Sequence, residues 1–193
     1  MKELDTNNLD VLVVDLDGTL IKSDMLHETF WSATSKSLRT PFMALYKLAQ
    51  GRCSLKAWLA EASEVDVKTL PYRAEVISYV EAWRSRGGEA YLISASNELV
   101  VKEISEHLGI FDGCFGSDHL CNLKGQAKAD FINSKFRDRK FSYIGDSKAD
   151  LHIWEAASTA VLVEVDPRIE RKLQSYSCEV EVLLKQNLNL LKY

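Results

Sequence analysis

Two aspartates two positions apart, Asp15 and Asp17, follow directly on the apolar run Val11, Leu12, Val13 and Val14 in the string VLVVDLDGTL. The run is of the kind that forms a strand buried on both faces. In an extended chain residues two apart point the same way. Both carboxylates therefore converge just past the strand's carboxyl end, where open α/β sheets hold their ligands. Gly18 lets the backbone turn sharply there, and Thr19 brings a hydroxyl to the same point. Paired carboxylates in different surroundings divide the labour of displacement chemistry: one attacks, the other gives and takes protons. A lone D-x-D-G is also ordinary turn chemistry, so the weight falls on what else the chain brings to that edge.

Hydrolysis of a phosphate monoester by such a pair also needs hydrogen-bond donors and cations for the phosphoryl oxygens. Ser94 closes a second apolar strand, 90–93, and its hydroxyl is a candidate donor, together with the backbone N–H groups of Ala95 and Ser96 near a helix start. Lys128, or Lys124 in the same NLKGQAK stretch, would neutralise charge on the phosphoryl group and on Asp15. Asp146 ends a further strand and can meet Asp15 at one Mg2+, an ion that takes oxygen ligands at about 2.0 to 2.1 Å. Asp150, one helical turn on, would orient that shell. In these roles Asp15 attacks phosphorus, while Asp17 protonates the leaving alkoxide and later activates water. Taken singly, a strand-end Ser is usually a cap and a helix Lys usually solvated; their order along the chain gives them meaning.

The elements that must position these groups read as follows. Ser23 or Asp24 caps a helix carrying Met25, Leu26, Phe30, Trp31 and, less regularly, Leu38. Pro41 suits the first turn of a second helix, with Phe42, Leu45, Tyr46 and Leu48 apolar and Gly51 closing it. Ser54 would cap a third, with Leu55, Trp58, Leu59 and Ala62 at helical spacing. Residues 21–68 thus form a small helical insertion between 1–20 and 69–193, and Trp31, Trp58 and Phe42 are expected to be its own core. Pro71 opens the next helix, which Gly87 and Gly88 end. Strands at 90–93, 114–116, 141–144 and 160–165 then alternate with helices, and Pro167 ends the last of them. This alternation predicts an α/β fold with a doubly wound parallel, Rossmann-like sheet. The tail, 175–193, is weakly patterned, with a short strand signal at 179–183.

The 193 residues suit one domain with a modest insertion. A composition of 46% hydrophobic and 27% charged residues is ordinary for a soluble protein, and a net charge of -4 argues against a nucleic-acid partner. The four cysteines, Cys53, Cys114, Cys121 and Cys178, show no C-x-x-C spacing and read as buried free thiols. Residues 1–10 lack the basic and apolar parts of a secretory signal, and no run is long enough for a membrane span. A cytoplasmic location is expected.

Taken in order, these strings resemble the motifs of the haloacid dehalogenase (HAD) superfamily of phosphohydrolases. Asp15 and Asp17 in DLDGTL match the first motif, Ser94 the second, Lys128 the third, and Asp146 with Asp150 the fourth. The resemblance covers nearly the whole chain. It implies a HAD-like core, Mg2+ held by Asp15, the Asp17 carbonyl and Asp146, and hydrolysis of a small-molecule phosphate monoester through an aspartyl-phosphate. Lys128 suits the family better than Lys124, because the family's lysine usually stands at the start of a helix. Asp17 points to a phosphatase or phosphomutase, since dehalogenases and phosphonatases lack it and transport ATPases carry a Thr there. The insertion resembles the family's cap, which closes over the site and excludes water. More narrowly, LIKSDMLHE, NLKGQAK and YIGDSKADLHIWEAA resemble HAD domains joined to UbiA-like polyprenyl transferases. That likeness implies a polyprenyl-linked or phosphoribosyl phosphate as substrate and association with a membrane prenyltransferase, as a phosphatase or as a non-catalytic, regulatory partner. A receiver domain also gathers acids, a hydroxyl and a lysine around Mg2+. It carries its phosphorylated Asp on a later strand than its acidic pair, the reverse of the order here.

Overall fold

The computed structural model describes residues 11–118 and 122–186; Cys121, the 1–10 segment and 187–193 lie outside the described residues. Strand β1, Val11–Val14, is buried along its whole length, and its period of two explains the layering. Val11 and Val13 enter one apolar cluster, Leu12 and Val14 the other. The first cluster takes Ala129 and Ile132 from α6, Gln126–Lys135, Ile153 and Trp154 from α7, Leu151–Trp154, and Leu173 from α8, Pro167–Leu173. The second takes Val76 and Val80 from α4, Ala74–Ser85, with Val101 and Ile104 from α5, Glu98–Leu108. Helices therefore cover both faces of one parallel sheet, as the alternation predicted.

The sheet has six strands in the order β3-β2-β1-β4-β5-β6, with β2 at Ala90–Asn97, β3 at Gly113–Ser117, β4 at Phe141–Gly145, β5 at Thr159–Val165 and β6 at Glu179–Lys185. The chain leaves β1 towards β2 and β3, then crosses back to place β4 on the other side of β1. Such a reversal opens a crevice at the strands' carboxyl ends. Register brings Val14 level with Leu92 and Ile144, so the residues just after β1 and β4 meet the last residues of β2 at one edge.

Helices α1, Met25–Lys36, α2, Thr40–Ala49, and α3, Arg52–Ala62, form the insertion. Asp24 caps α1 by accepting from the Leu26 N–H. Their shared core is small: Ala33, Ala44, Leu55 and Leu59, with Leu26, Phe30 and Trp58 packed against it. The two chain crossings into and out of the insertion lie side by side, with the Lys22 N–H donating to the Pro71 carbonyl at 3.0 Å and Ile21 bridging Tyr72.

Several elements differ from the sequence expectation. Trp31 and Phe42 are exposed and do not form the insertion's core, because small residues, Ala33 and Ala44, occupy the inner faces where the helices meet. Gly51, at a φ of 119°, precedes α3 and its helix starts at Arg52, so Ser54 lies inside it. Arg73 rather than Pro71 directly precedes α4. Pro167 does more than end β5: it is the first residue of α8, capped by Asp166, whose carboxylate accepts from the Arg168 N–H. The tail's strand signal becomes β6, an edge strand parallel to β5. Cys53, Cys114 and Cys178 are free but half-buried rather than buried.

With so few residues in its core, the insertion should respond locally to a cavity. Leu59→Ala should cost about 2 to 5 kcal/mol where Leu59 packs, and speed amide hydrogen exchange in α1 and α3 while β1 and β4 keep their protection. Equal loss of protection in β1 and β4 would show that the insertion and sheet unfold as one unit.

Candidate active site

Asp15 follows β1 at the crevice and Lys128 reaches it from the first turn of α6: the Lys128 ammonium donates to Asp15 Oδ1 at 2.7 Å, and both residues are buried. The Leu16 N–H donates to the same oxygen at 2.9 Å. Lys128 also donates to the Tyr143 hydroxyl at 3.1 Å, which in turn donates to Asp150 Oδ1 at 2.8 Å. The other Asp150 oxygen accepts from the Ser147 N–H and hydroxyl, both at 3.1 Å, in a capping box that starts the turn leading into α7. A continuous buried chain thus runs Asp15, Lys128, Tyr143, Asp150, Ser147. Burial raises the Asp15 carboxyl to about 7; Asp150 and Asp17 add to the rise and Lys128 opposes it. For Lys128 burial works against the charge, but Asp15, Asp150 and Asp17 outweigh it, and the ammonium's pKa lies above its usual value.

Asp17 has other company. Its Oδ1 accepts from the Met25 N–H at 2.7 Å, the first amide of α1, where the helix dipole favours negative charge. Its Oδ2 accepts from the Ser96 hydroxyl at 2.6 Å and the Ser94 hydroxyl at 3.3 Å. Burial pushes its carboxyl up, and the Ser96 and Met25 donors hold it down in part. Strand β2 runs three residues past Ser94, so Ala95 and Ser96 lie in the strand, directly ahead of the Asn97 cap of α5. The Ser96 N–H donates to Ser94 Oγ at 2.9 Å, and the Ala95 carbonyl accepts from Lys56 of α3 at 2.6 Å. Ser94 is wholly buried behind the cavity wall, while Ser96 lines the cavity.

Asp146 follows β4 and lies against Gly18. A Cβ on Gly18 would stand 2.2 Å from Asp146 Oδ2, and Gly18 has a φ of +75°, so only glycine fits this turn. Arg73 holds the turn from below, donating to the Gly18 carbonyl at 3.3 Å and pairing with Glu164 at 2.7 Å. Asp15, Asp146 and Asp150 each offer a carboxylate oxygen within 4.8 Å of the others. Asp150 meets donors on both oxygens, whereas Asp146 has only the Thr19 hydroxyl at 3.5 Å as a side-chain donor among the described residues. Burial, then Asp15 and Asp150, raise the Asp146 carboxyl to about 7. An all-oxygen set of crowded carboxylates, Asp146 among them short of side-chain donors, fits a hard divalent cation such as Mg2+; Asp15 and Asp146 would hold it, with Asp150 setting the turn behind them.

These groups line a cavity of about 580 Å³ between the sheet edge and the insertion, which contributes Met25, Leu26, Thr29, Arg52 and Lys56. Lys124 lies exposed at its wall and Lys128 at its floor. Sequence reasoning missed Tyr143, the Ser96 hydroxyl and Lys56. A Tyr in a strand buried on both faces needs a partner for its hydroxyl, a signal FSYIGD did contain; Lys56 had none, because only the docking of α3 brings it to Ala95.

The model of the family described as haloacid dehalogenase-like hydrolase matches residues 12–155. A relative, Uncharacterized protein y4nM of Sinorhizobium fredii (strain NBRC 101917 / NGR234), is 41% identical over 186 residues, 95% of this chain and 36% of that protein. The chain thus spans little more than a third of that relative's length. Among solved structures, the protein with unknown function from Bordetella pertussis Tohama I superposes with a TM-score of 0.69 at 14% identity, over 92% of this chain and all of that one. Phosphoserine phosphatase in apo form gives 0.63 at 16% identity over 95% and 98% of the two chains. The phospho-aspartyl intermediate analogue of phosphoserine phosphatase gives 0.63 at 14% identity over 94% and 95%. At these identities the likeness is one of fold.

The carboxylate cluster makes a prediction about stability. Asp146 titrates at about 7 in the fold against 3.8 as its ordinary value, so its ionisation weighs on the folded state as pH rises between the two. In EDTA at pH 8, Asp146→Asn should melt at a higher temperature than the parent, and the gap should narrow as pH falls below about 7, closing only towards 3.8, where the unfolded carboxyl also takes up its proton. A gap independent of pH would contradict the crowding.

Proposed function

The chain belongs to the haloacid dehalogenase-like hydrolases, and from that premise we propose that it is a Mg2+-dependent phosphatase that hydrolyses a small-molecule phosphate monoester through an aspartyl-phosphate on Asp15. The observation that carries this reading is the unlike setting of two carboxylates two residues apart. Asp15 is tied to an ammonium through Oδ1, while Asp17 is held by two hydroxyls and a helix amide. Phosphatase folds among the solved relatives support it.

Asp15 attacks phosphorus, and Lys128 holds it in place and offsets charge on the phosphoryl oxygens. Asp17, whose carboxyl burial pushes up, gives a proton to the departing oxygen; the resulting carboxylate then takes a proton from the water that attacks the acyl phosphate. Ser96 and Ser94 hold Asp17 for both steps. A bound Mg2+ supplies the positive charge that lets a phosphate dianion approach Asp15 and Asp146. Residues 21–68 act as a cap, and a cavity of about 580 Å³ suits a metabolite better than a phosphoprotein. No helix among the described residues is long and apolar enough to cross a membrane. None of the relatives named above is described as a prenyltransferase, so association with one draws no support from them.

Hydrolysis of p-nitrophenyl phosphate should require Mg2+ and vanish in Asp15→Asn with the fold intact; turnover in excess EDTA, or a tenth of the parent's rate in the mutant, would refute the mechanism. A panel of phosphorylated metabolites then identifies the substrate. Lys128→Ala should lose about 10² to 10³ in kcat/KM, and Lys124→Ala far less, since an exposed charge contributes little. The reverse ranking would move the role to Lys124.

A further inference from the structure

Helix α2 is amphipathic the wrong way round. Thr40 and Ala44 are the residues it buries. Phe42, Leu45 and Tyr46, at the i, i+3, i+4 spacing of one helix face, are 77%, 69% and 59% exposed. Leu38, just before the helix, and Trp31 of α1 are exposed as well. A stripe that would normally seek a core faces outward, and contiguous apolar surface of this kind marks an interaction site.

The charge around it says what kind. Residues 29–60 carry five basic residues, Lys36, Arg39, Lys47, Arg52 and Lys56, and no acidic one, in a chain whose net charge is -4. Lys36 pairs with Glu64 and Lys56 with the Ala95 carbonyl, but among the described residues Arg39, Lys47 and Arg52 form no ion pair. We infer that the outer face of α2, with Phe42, Leu45 and Tyr46 as its apolar anchors and Arg39 and Lys47 beside them, docks on the surface of an anionic lipid bilayer. Aromatic and aliphatic side chains flanked by cations are the composition of helices that lie in the membrane interface, and α2 itself carries no carboxylate to repel anionic headgroups. A second copy of the chain suits the face less well, since a symmetric contact would set Arg39 and Lys47 near their own copies. The α2 stripe makes no contact with the carboxylate site, so the inference stands apart from the hydrolytic reading. Docking there would hold the protein by the insertion that walls the cavity.

Co-sedimentation of the full chain with vesicles tests it. The protein should pellet with phosphatidylcholine vesicles that contain phosphatidylglycerol, far less with phosphatidylcholine alone, and less as salt is raised. Arg39→Gln and Lys47→Gln should each weaken the partition about fivefold. Phe42→Ser/Leu45→Ser/Tyr46→Ser should weaken it at least about tenfold, with hydrolysis of p-nitrophenyl phosphate and the circular dichroism spectrum unchanged. If the triple variant does not fold, the charge variants and the salt dependence still decide. Full recovery in the supernatant with anionic vesicles, or charge variants that pellet like the parent, would overturn the inference. A dimer in sedimentation velocity that the triple variant dissolves would assign the face to a second copy and overturn it too.

Discussion

The buried contact between Lys128 and Asp15 is the constraint on which the rest of the site depends. Taking both charges out of water costs several kcal/mol per ion, and the attraction between them offsets that only if every remaining donor and acceptor is met. The chain meets several of them in sequence: Tyr143 accepts a second N–H of Lys128, Asp150 accepts the hydroxyl of Tyr143, and the Ser147 cap fills the other Asp150 oxygen. Each link comes from β4 or the turn after it, so the strand that delivers Asp146 also sets the orientation of the lysine on Asp15. An ammonium alone does not balance the carboxylates gathered there. Asp15 and Asp146 are both raised to about 7, which is the electrostatic signature of a place arranged for more positive charge than the protein supplies.

A second consequence follows from where Asp17 is held. One of its oxygens accepts from the first amide of α1 and the other from the hydroxyls of β2. Asp17 therefore joins the sheet to the insertion, and any shift of α1 changes its hydrogen bonding and with it its affinity for a proton. Lys56 makes a parallel tie from α3 to the Ala95 carbonyl. With the two crossings at Lys22 and Pro71 hydrogen-bonded to each other, the insertion is held at its hinge and at two points over the cavity. The position of the insertion and the hydrogen bonding of Asp17 are thus tied by short polar contacts, in keeping with the small core of the insertion itself.

Much of this was legible in the chain because it depends on short-range periodicity. A run of β-branched residues buried on both faces, carboxylates at the ends of two such runs, and an alternation of helix and strand are local properties, and they were enough to predict a parallel sheet with Asp15, Asp17, Ser94 and Asp146 at one edge. They were also enough to identify a helical insertion and the cap of α1. The helix after β5 was missed because Pro167 can end a strand or open a helix with equal right, and only the packing of Leu173 against the sheet decides. The expectation that Trp31 and Phe42 fill the insertion's core failed for a related reason: hydrophobicity says that a side chain gains by burial, not that a neighbour will arrive to bury it.

What the sequence by itself determined is which carboxylates and hydroxyls gather and the edge on which they meet, since both follow from residue type and from the period of the strands. Tertiary structure alone decided between Lys128 and Lys124 as the partner of Asp15, moved the role of Ser96 from its amide to its hydroxyl, and brought Tyr143 and Lys56 into the site. Each of those outcomes is a contact across many residues of chain, fixed by how α6, β2, β4 and α3 dock. A pattern with a period of two or of 3.6 residues carries no information about which of two lysines in one short stretch ends up under the sheet edge and which faces water.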